Sequence, residues 1–380
     1  MNLSTSNFKM LRIAIVLISL FLVAEASFRY YYFGAAAIYK FWEYSPRGIT
    51  SSKFITADKN PKIGYQLSPN KQGLFKAAQL SVNALGFRGN ESTIIKPEHT
   101  YRIASLGPSI AMGAGIADEH TYAQLLENRL NKTFSFTIEI QNHAVGGYKA
   151  LQIEESFWQT VDKFKPDLVL LPVYPRIFNN SPPFHELRDQ SKFCLEIRCH
   201  LQNYFSLNAL SYLARDFTRS LQKNSLFGNK RHWGSVSTTT QTKNNKTLKN
   251  GAILKRFITN LKAAGYKVVI LRLPTLASYT HPQREKTNMF WSLWLNEVKP
   301  TLVIDTYYEI APKISINDSI YLGDNHPNSR VHSLYADAIS PSLTSFIRKD
   351  FLDDKKYPPL SVLEYKLEER HSFTNDITTD

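Results

Sequence analysis

Residues 167–171, Asp-Leu-Val-Leu-Leu, end in an unbroken run of apolar side chains. Side chains alternate between the two faces of a strand, so such a run fits a strand covered on both sides and not one with a wet face. A chain carrying such a strand needs apolar layers above and below it. The rest of the sequence supplies them in alternation. The spacing predicts further strands over 101–106, 137–141, 267–273 and 301–305. It predicts helices over 121–130, 150–164, 252–264, 284–298 and 329–347, with Gly265 closing the third as a C-cap. Five strands alternating with helices predict an α/β fold, a three-layer αβα sandwich around a five-stranded parallel sheet. Ligand sites in such sheets lie at the carboxyl ends of the strands, near the topological switch point.

The N-terminus sets the expected compartment. Lys9 and Arg12 precede an uncharged apolar run over 13–24, and no acid occurs before Glu25. A positive flank before an apolar stretch directs the N-terminus to the cytoplasm and the body outward, to a periplasmic or extracellular location. Two readings stand. Ala24-Glu25-Ala26 has the small-residue pattern of a signal cleavage site. Alternatively the helix runs on through the aromatic residues 28–33 toward Ile38, which reaches spanning length. Glu25 and Arg29 would then pair at i and i+4, with the tyrosines as an interfacial belt. The uncleaved single-pass transmembrane anchor over 1–40 is the favoured reading.

The net charge of +14 is uneven. Residues 217–284 hold thirteen Lys and Arg and no acid, which suits contact with anionic lipid or an anionic polymer as well as a solvated segment. No aromatic and basic platform accompanies the charge, so nucleic acid is not the expected partner. Residues 234–250, rich in Ser, Thr, Asn and Lys, are expected to be a mobile loop. Cys194 and Cys199 either close a small loop in an oxidising compartment or stay as thiols, and their spacing is not that of a zinc site. His326 and His332 stand six apart with no supporting cluster, so neither a metal nor a cofactor is expected.

Three strand-to-helix turns carry candidate chemistry. After the first strand comes 107–113, Gly-Pro-Ser-Ile-Ala-Met-Gly, which sets the Ser109 hydroxyl at the sheet edge with backbone amides to meet an oxyanion. After the second strand, 142–148 (Asn-His-Ala-Val-Gly-Gly-Tyr) pairs glycines that let the backbone approach a ligand. After the last strand, 324–328 (Asp-Asn-His-Pro-Asn) offers His326 as a general base for Ser109 and Asp324 as an acid to orient it. A bland reading of that last turn is a helix entry capped by Asn328 or Ser329.

In this order the three segments resemble the blocks of the SGNH hydrolase superfamily, the GDSL-like lipases and esterases. The resemblance covers roughly 81–347 apart from an insert at 179–250, and includes a lead-in at 83–89, Asn-Ala-Leu-Gly-Phe-Arg-Gly. It implies a flavodoxin-like sheet, Ser109 as nucleophile, His326 as base and an oxyanion amide from Gly147. Three positions depart from the family pattern. Pro108 replaces the Asp of Gly-Asp-Ser. The oxyanion Asn falls on Arg176, with Asn179 nearby. The family acid three residues before the His falls on Gly323, whereas Asp324 lies two before. The implied organisation is an anchor over 1–40, a lead-in segment over 41–100 packing on the catalytic domain, the SGNH-type domain over 101–350 and a tail over 351–380. The implied activity is a serine esterase acting on carboxylic ester or O-acyl groups of a lipid or envelope glycan. An O-acyltransferase and a catalytically impaired glycan-binding relative are the alternatives on the same fold.

Overall fold

The computed structural model describes residues 5–33, 35–39, 54–76, 78–174, 177, 240–276, 294–320 and 326–353, with 5–7, 32–33, 36, 240–250, 316 and 351–353 described as backbone alone. Cys194, Cys199 and most of the 179–250 insert lie outside the described residues.

The chain opens with helix α1 (Thr5–Phe33), uninterrupted because no Gly or Pro falls within it. Its apolar portion, Phe8–Tyr31, is 24 residues long. At about 1.5 Å per residue that exceeds a hydrocarbon core of about 30 Å. Leu17, Leu20 and Val23 are exposed, as side chains facing lipid would be. Glu25 accepts from Arg29 Nε at 2.6 Å, the expected i, i+4 pair. The helix is apolar enough to cross a membrane, and a signal sequence would meet the same description. A short helix α2 (Ala36–Tyr39) follows.

Two antiparallel hairpins come next. Strands β1 (Ile55–Ala57) and β2 (Tyr65–Leu67) form one, and β3 (Lys71–Phe75) and β4 (Ala78–Val82) the other. The first docks onto the turn after the domain's second parallel strand. Tyr65 Oη donates to Gly146 O at 2.7 Å, Tyr148 Oη to Tyr65 O at 2.6 Å, and Gln152 Nε2 to Ile63 O at 2.8 Å.

The body then alternates as expected. Its elements are β5 (Thr100–Ser105), α3 (Ser109–Met112), α4 (Tyr122–Asn131), β6 (Thr137–Asn142), α5 (Ala150–Ser156), β7 (Leu168–Val173), α6 (Thr240–Ala263), β8 (Lys267–Arg272), β9 (Leu302–Asp305), α7 (Tyr307–Ile310) and α8 (Ser329–Asp353). The sheet order is β6-β5-β7-β8-β9, with every neighbouring pair parallel. This is the flavodoxin-like order, and its switch point lies between β5 and β7. Every residue of β5 and β7 is buried, the two-sided burial that the 167–171 run called for. Helix α4 is capped by Thr121, whose Oγ1 accepts from Gln124 N at 3.3 Å, and packs against α8.

Several boundaries depart from the sequence reading. The helix expected over 150–164 is α-helical only to Ser156. It continues as a π-helical turn over Phe157–Val161 and a 3-10 turn over Asp162–Phe164. The π turn keeps Phe157 buried between Phe257 and Tyr266, with ring centroids 5.6 and 5.2 Å away. Helix α6 begins at Thr240, so 240–250 is helix and not the loop expected there. Its polar composition describes its solvation and not its backbone. Leu254, Phe257, Ile258 and Leu261 are buried and fix one end of the helix. Extending a formed helix N-terminally then requires no new nucleus, and Lys and Gln favour it. Of the helix expected over 284–298, residues 294–298 are described and are helical. Helix α8 runs past 347 to Asp353, with Pro341 inside it.

Candidate functional site

The turn after β5 is built by glycines at its two ends. Gly107 has φ +131°, and a Cβ there would meet Ala111 Cβ at 2.8 Å, so the strand can enter α3 only without a side chain at that point. Gly113 closes α3 at φ +80°, where a Cβ would meet Thr121 Cγ2 at 2.7 Å. Ser109 is the first residue of α3, and Pro108, its N-cap residue, is extended. Pro108 therefore stands in the turn without disturbing it: its missing N–H lies outside the helix ladder.

The turn after β6 is stitched to this one. Val145 N donates to Gly107 O at 3.0 Å. Asn142 accepts from Ala144 N at 3.2 Å through Oδ1, and its Nδ2 donates to the carbonyls of Ala111 and Met112 at 3.3 and 3.4 Å. Gly146 lies so close that a Cβ there would stand 4.0 Å from Ser109 Cβ. Gly147 follows at φ +87°. Tyr174, at the end of β7, accepts from Ile110 N at 3.3 Å. Among the described residues the amides of Ser109 and Gly147 have no hydrogen-bond acceptor, so two donors remain beside the Ser109 hydroxyl.

His326 arrives from the far end of the chain. Ile320 N donates to its carbonyl at 3.1 Å, and Ser319 bridges to Pro327. Asn328 Oδ1 accepts from Val331 N at 3.2 Å and caps α8, as the capping reading of this turn expected. Asp318 accepts from Asn328 N through its carbonyl at 2.7 Å and from Arg330 Nη1 through Oδ1 at 2.8 Å. Although burial pushes the Asp318 carboxyl up, hydrogen bonds from Ser315 and Arg330 hold it below the usual carboxylate range. Thus fixed, His326 Nε2 stands 2.9 Å from Ser109 Oγ. That is the reach a base needs to take a hydroxyl proton.

Lys76, directly after β3, has its Nζ 3.1 Å from His326 Nδ1. The contact joins the tip of the β3–β4 hairpin to the turn that carries His326.

Arg88, from the lead-in motif, braces the loop after α3. Its buried guanidinium donates from Nε to Asp118 Oδ1 at 2.8 Å, from Nη1 to Met112 O at 2.9 Å and to Gly113 O, and from Nη2 to Ile116 O. Burial lowers its pKa, an effect that Asp118 and Glu119 oppose. Asn83 shapes the motif itself by accepting from Leu85 N and Phe87 N, both at 3.1 Å. Two further histidines are held from charging, His332 buried and His143 half-buried. His143 and His332 are each pushed down to about 3, first by burial, then by Lys163 and Arg102 for His143, and by Arg88 and His326 for His332. His332 Nδ1 accepts from Tyr122 N at 3.1 Å, so it serves the fold as a neutral acceptor. No described group of three or more His, Cys, Asp or Glu is disposed to hold a metal ion.

The structure thus brings Ser109, His326 and Gly147 to one edge of the sheet. Asp324 and Arg176, together with Asn179 and Gly323, lie outside the described residues. Sequence reasoning missed Lys76, which has no local signal because its contact spans 250 positions. It quoted Arg88 within the lead-in without assigning it a role. A charged residue between Phe87 and Gly89 was the available hint.

Fold and site define an α/β protein of flavodoxin-like topology with a Ser–His pair at the switch point of its sheet. No family model matches the chain, and no curated protein does. Solved structures are similar at low identity. The psychrotrophic esterase EstA from Pseudoalteromonas is 13% identical with a TM-score of 0.39, over 65% of this chain and 99% of that one. The acetyl xylan esterase AlAXEase is 15% identical with a TM-score of 0.39, over 63% and 98%. A member of the lipolytic protein G-D-S-L family from Veillonella parvula is 12% identical with a TM-score of 0.34, over 62% and 94%. At these scores the chemistry rests on the geometry of the site itself.

Proposed function

We propose that this chain is a serine esterase of the SGNH type, acting on carboxylic ester or O-acyl groups. The observation that carries this reading is the 2.9 Å approach of His326 Nε2 to Ser109 Oγ at the switch point. Ser109 Oγ attacks the ester carbonyl as its proton passes to Nε2. The tetrahedral oxyanion is met by the unoccupied amides of Ser109 and Gly147. The imidazolium then gives its proton to the leaving alcohol. The resulting acyl-enzyme is released to water by the same steps in reverse order. The tautomer that accepts at Nε2 carries its proton on Nδ1. Asp324, two residues before His326, is the acid the sequence offers there, and Arg176 is the further oxyanion donor the family resemblance suggests.

The substrate follows from the surroundings proposed for the enzyme. Helix α1 anchors the chain in a membrane by a single pass, with the N-terminus cytoplasmic and the body periplasmic or extracellular. A lipid ester or an acylated envelope glycan is the substrate within reach. The basic segment 217–284 lies against anionic lipid or polymer. Labelling of the full chain by a fluorophosphonate tests the centre: labelling by wild type that is lost in Ser109→Ala supports it, and no labelling of wild type points to a binding module. Product analysis with a polysaccharide acceptor then separates hydrolysis from O-acyl transfer.

A further inference from the structure

We propose that Tyr65, a residue outside the parallel sheet, is a positioning residue for the oxyanion site; the proposal rests on the serine esterase reading above. Gly146 O and the Gly147 N–H belong to one peptide unit. That unit is planar and trans, so its carbonyl and its N–H point in opposite directions. Tyr65 Oη donates to Gly146 O at 2.7 Å. The carbonyl is thereby held toward the β1–β2 hairpin, and the N–H is aimed away from it. Hydrogen bonding at a carbonyl also polarises its amide, which makes the N–H a stronger donor. The Gly147 amide has no acceptor among the described residues. A Cβ built on Gly146 would stand 4.0 Å from Ser109 Cβ, so the peptide lies beside the serine. One hydroxyl thus sets both the direction and the strength of a donor next to Ser109.

A pair of glycines brings the backbone close but has no side chains to hold the plane of the peptide between them. Gly147 sits at φ +87°, a conformation that glycine permits and does not enforce. Tyr65 supplies the missing hold from 81 positions away. It is itself buried and fixed. Strand pairing sets it opposite Ala57, and Tyr148 Oη donates to its carbonyl at 2.6 Å. The rings of Tyr65 and Tyr148 meet edge to face with centroids 5.4 Å apart. Two residues earlier, Gln152 Nε2 donates to Ile63 O at 2.8 Å. Donors fixed in advance stabilise an oxyanion because they need not turn during the reaction. The hairpin is thus a working part of the esterase site and more than a cover over the turn.

Tyr65→Phe removes the hydroxyl and keeps the ring. The detergent-solubilised full chain is assayed with p-nitrophenyl acetate, with rates expressed per Ser109 titrated by a fluorophosphonate. In Tyr65→Phe, kcat is expected to fall about three- to tenfold, the scale of one hydrogen bond, with KM changed by less than about twofold. Binding of an alkyl trifluoromethyl ketone, whose hemiketal with Ser109 carries an oxyanion, is expected to weaken by about the same factor as kcat/KM. Gln152→Leu loosens the hairpin without touching the Gly146–Gly147 peptide. It is expected to lower Tm and to leave kcat and ketone binding unchanged. Wild-type kinetics in Tyr65→Phe, a loss confined to KM, or an equal loss in Gln152→Leu overturns the role of Tyr65 alone. Turnover that survives Ser109→Ala, or no turnover by wild type, overturns the esterase reading and the role of Tyr65 with it.

Discussion

Arg88 donates to Asp118 at 2.8 Å, and its other two guanidinium nitrogens hold the carbonyls of Met112, Gly113 and Ile116. One side chain from the lead-in thus fixes the whole loop that follows Ser109 and α3. Removing it would strand three carbonyls and a carboxylate at once. Arg88→Met is expected to destabilise the protein by about 3–5 kcal/mol, the range for breaking a buried ion pair from one side. Asp118→Asn, which keeps an acceptor for Nε, should cost much less. Urea unfolding of the two variants measures the difference, and equal losses would contradict the bracing role.

Gly107 is expected to tolerate no side chain. Gly107→Ala puts a residue at φ +131° and drives its Cβ to 2.8 Å from Ala111. Strain of this kind costs about 1–3 kcal/mol, and Ser109 moves with the turn. A lowered Tm together with slower fluorophosphonate labelling is the expected result. A drop in Tm with labelling unchanged would separate the turn from the site.

Acid should unfold the protein in a defined window. In the folded protein His143 and His332 are pushed down to about 3, from an ordinary imidazole value of about 6.5, by burial first of all. Between those values the unfolded chain binds more protons than the folded one, so stability falls as pH falls. Their contribution is complete above about pH 6.5 and is lost progressively below it, by up to about 1.4 kcal/mol per pH unit for each histidine. His332→Asn, which can still accept from Tyr122 N, is expected to make stability between pH 7 and 4 less steep. An unchanged slope in urea titrations would mean that His332 is not held neutral.

Leu17, 61% exposed in the middle of α1, tests the membrane role of that helix. Leu17→Arg should penalise insertion by about 2.5–3.5 kcal/mol. The carbonate-resistant membrane fraction is expected to fall in this variant and not in Leu17→Ile. N-terminal sequencing of the wild-type protein from membranes distinguishes an intact anchor from cleavage after Ala26.

The sheet was legible because its signal is local. The run over 167–171 is apolar at consecutive positions, and only a strand with two covered faces accommodates that cheaply. The turns holding Ser109 and His326 were legible for a related reason: each lies where a strand gives way to a helix, and all parallel strands end on one edge. Helix 240–250 was misread because polar composition reports solvent and not dihedral angles. Lys76 was invisible for a deeper reason. Its meaning depends on a hairpin folding back to a residue 250 positions away, and no short-range pattern encodes that. Arg88 stood within a recognisable motif, but its complete burial is a property of the packed loop and not of the motif.

Ser109 follows the first parallel strand and His326 the last, 217 positions apart. A chain emerging from the ribosome exposes the serine while the histidine is still unmade. Until β9 has docked and the turn before α8 is in place, Ser109 has no histidine beside it. The order of the strands therefore acts as a timer, bringing the pair together only in a finished sheet.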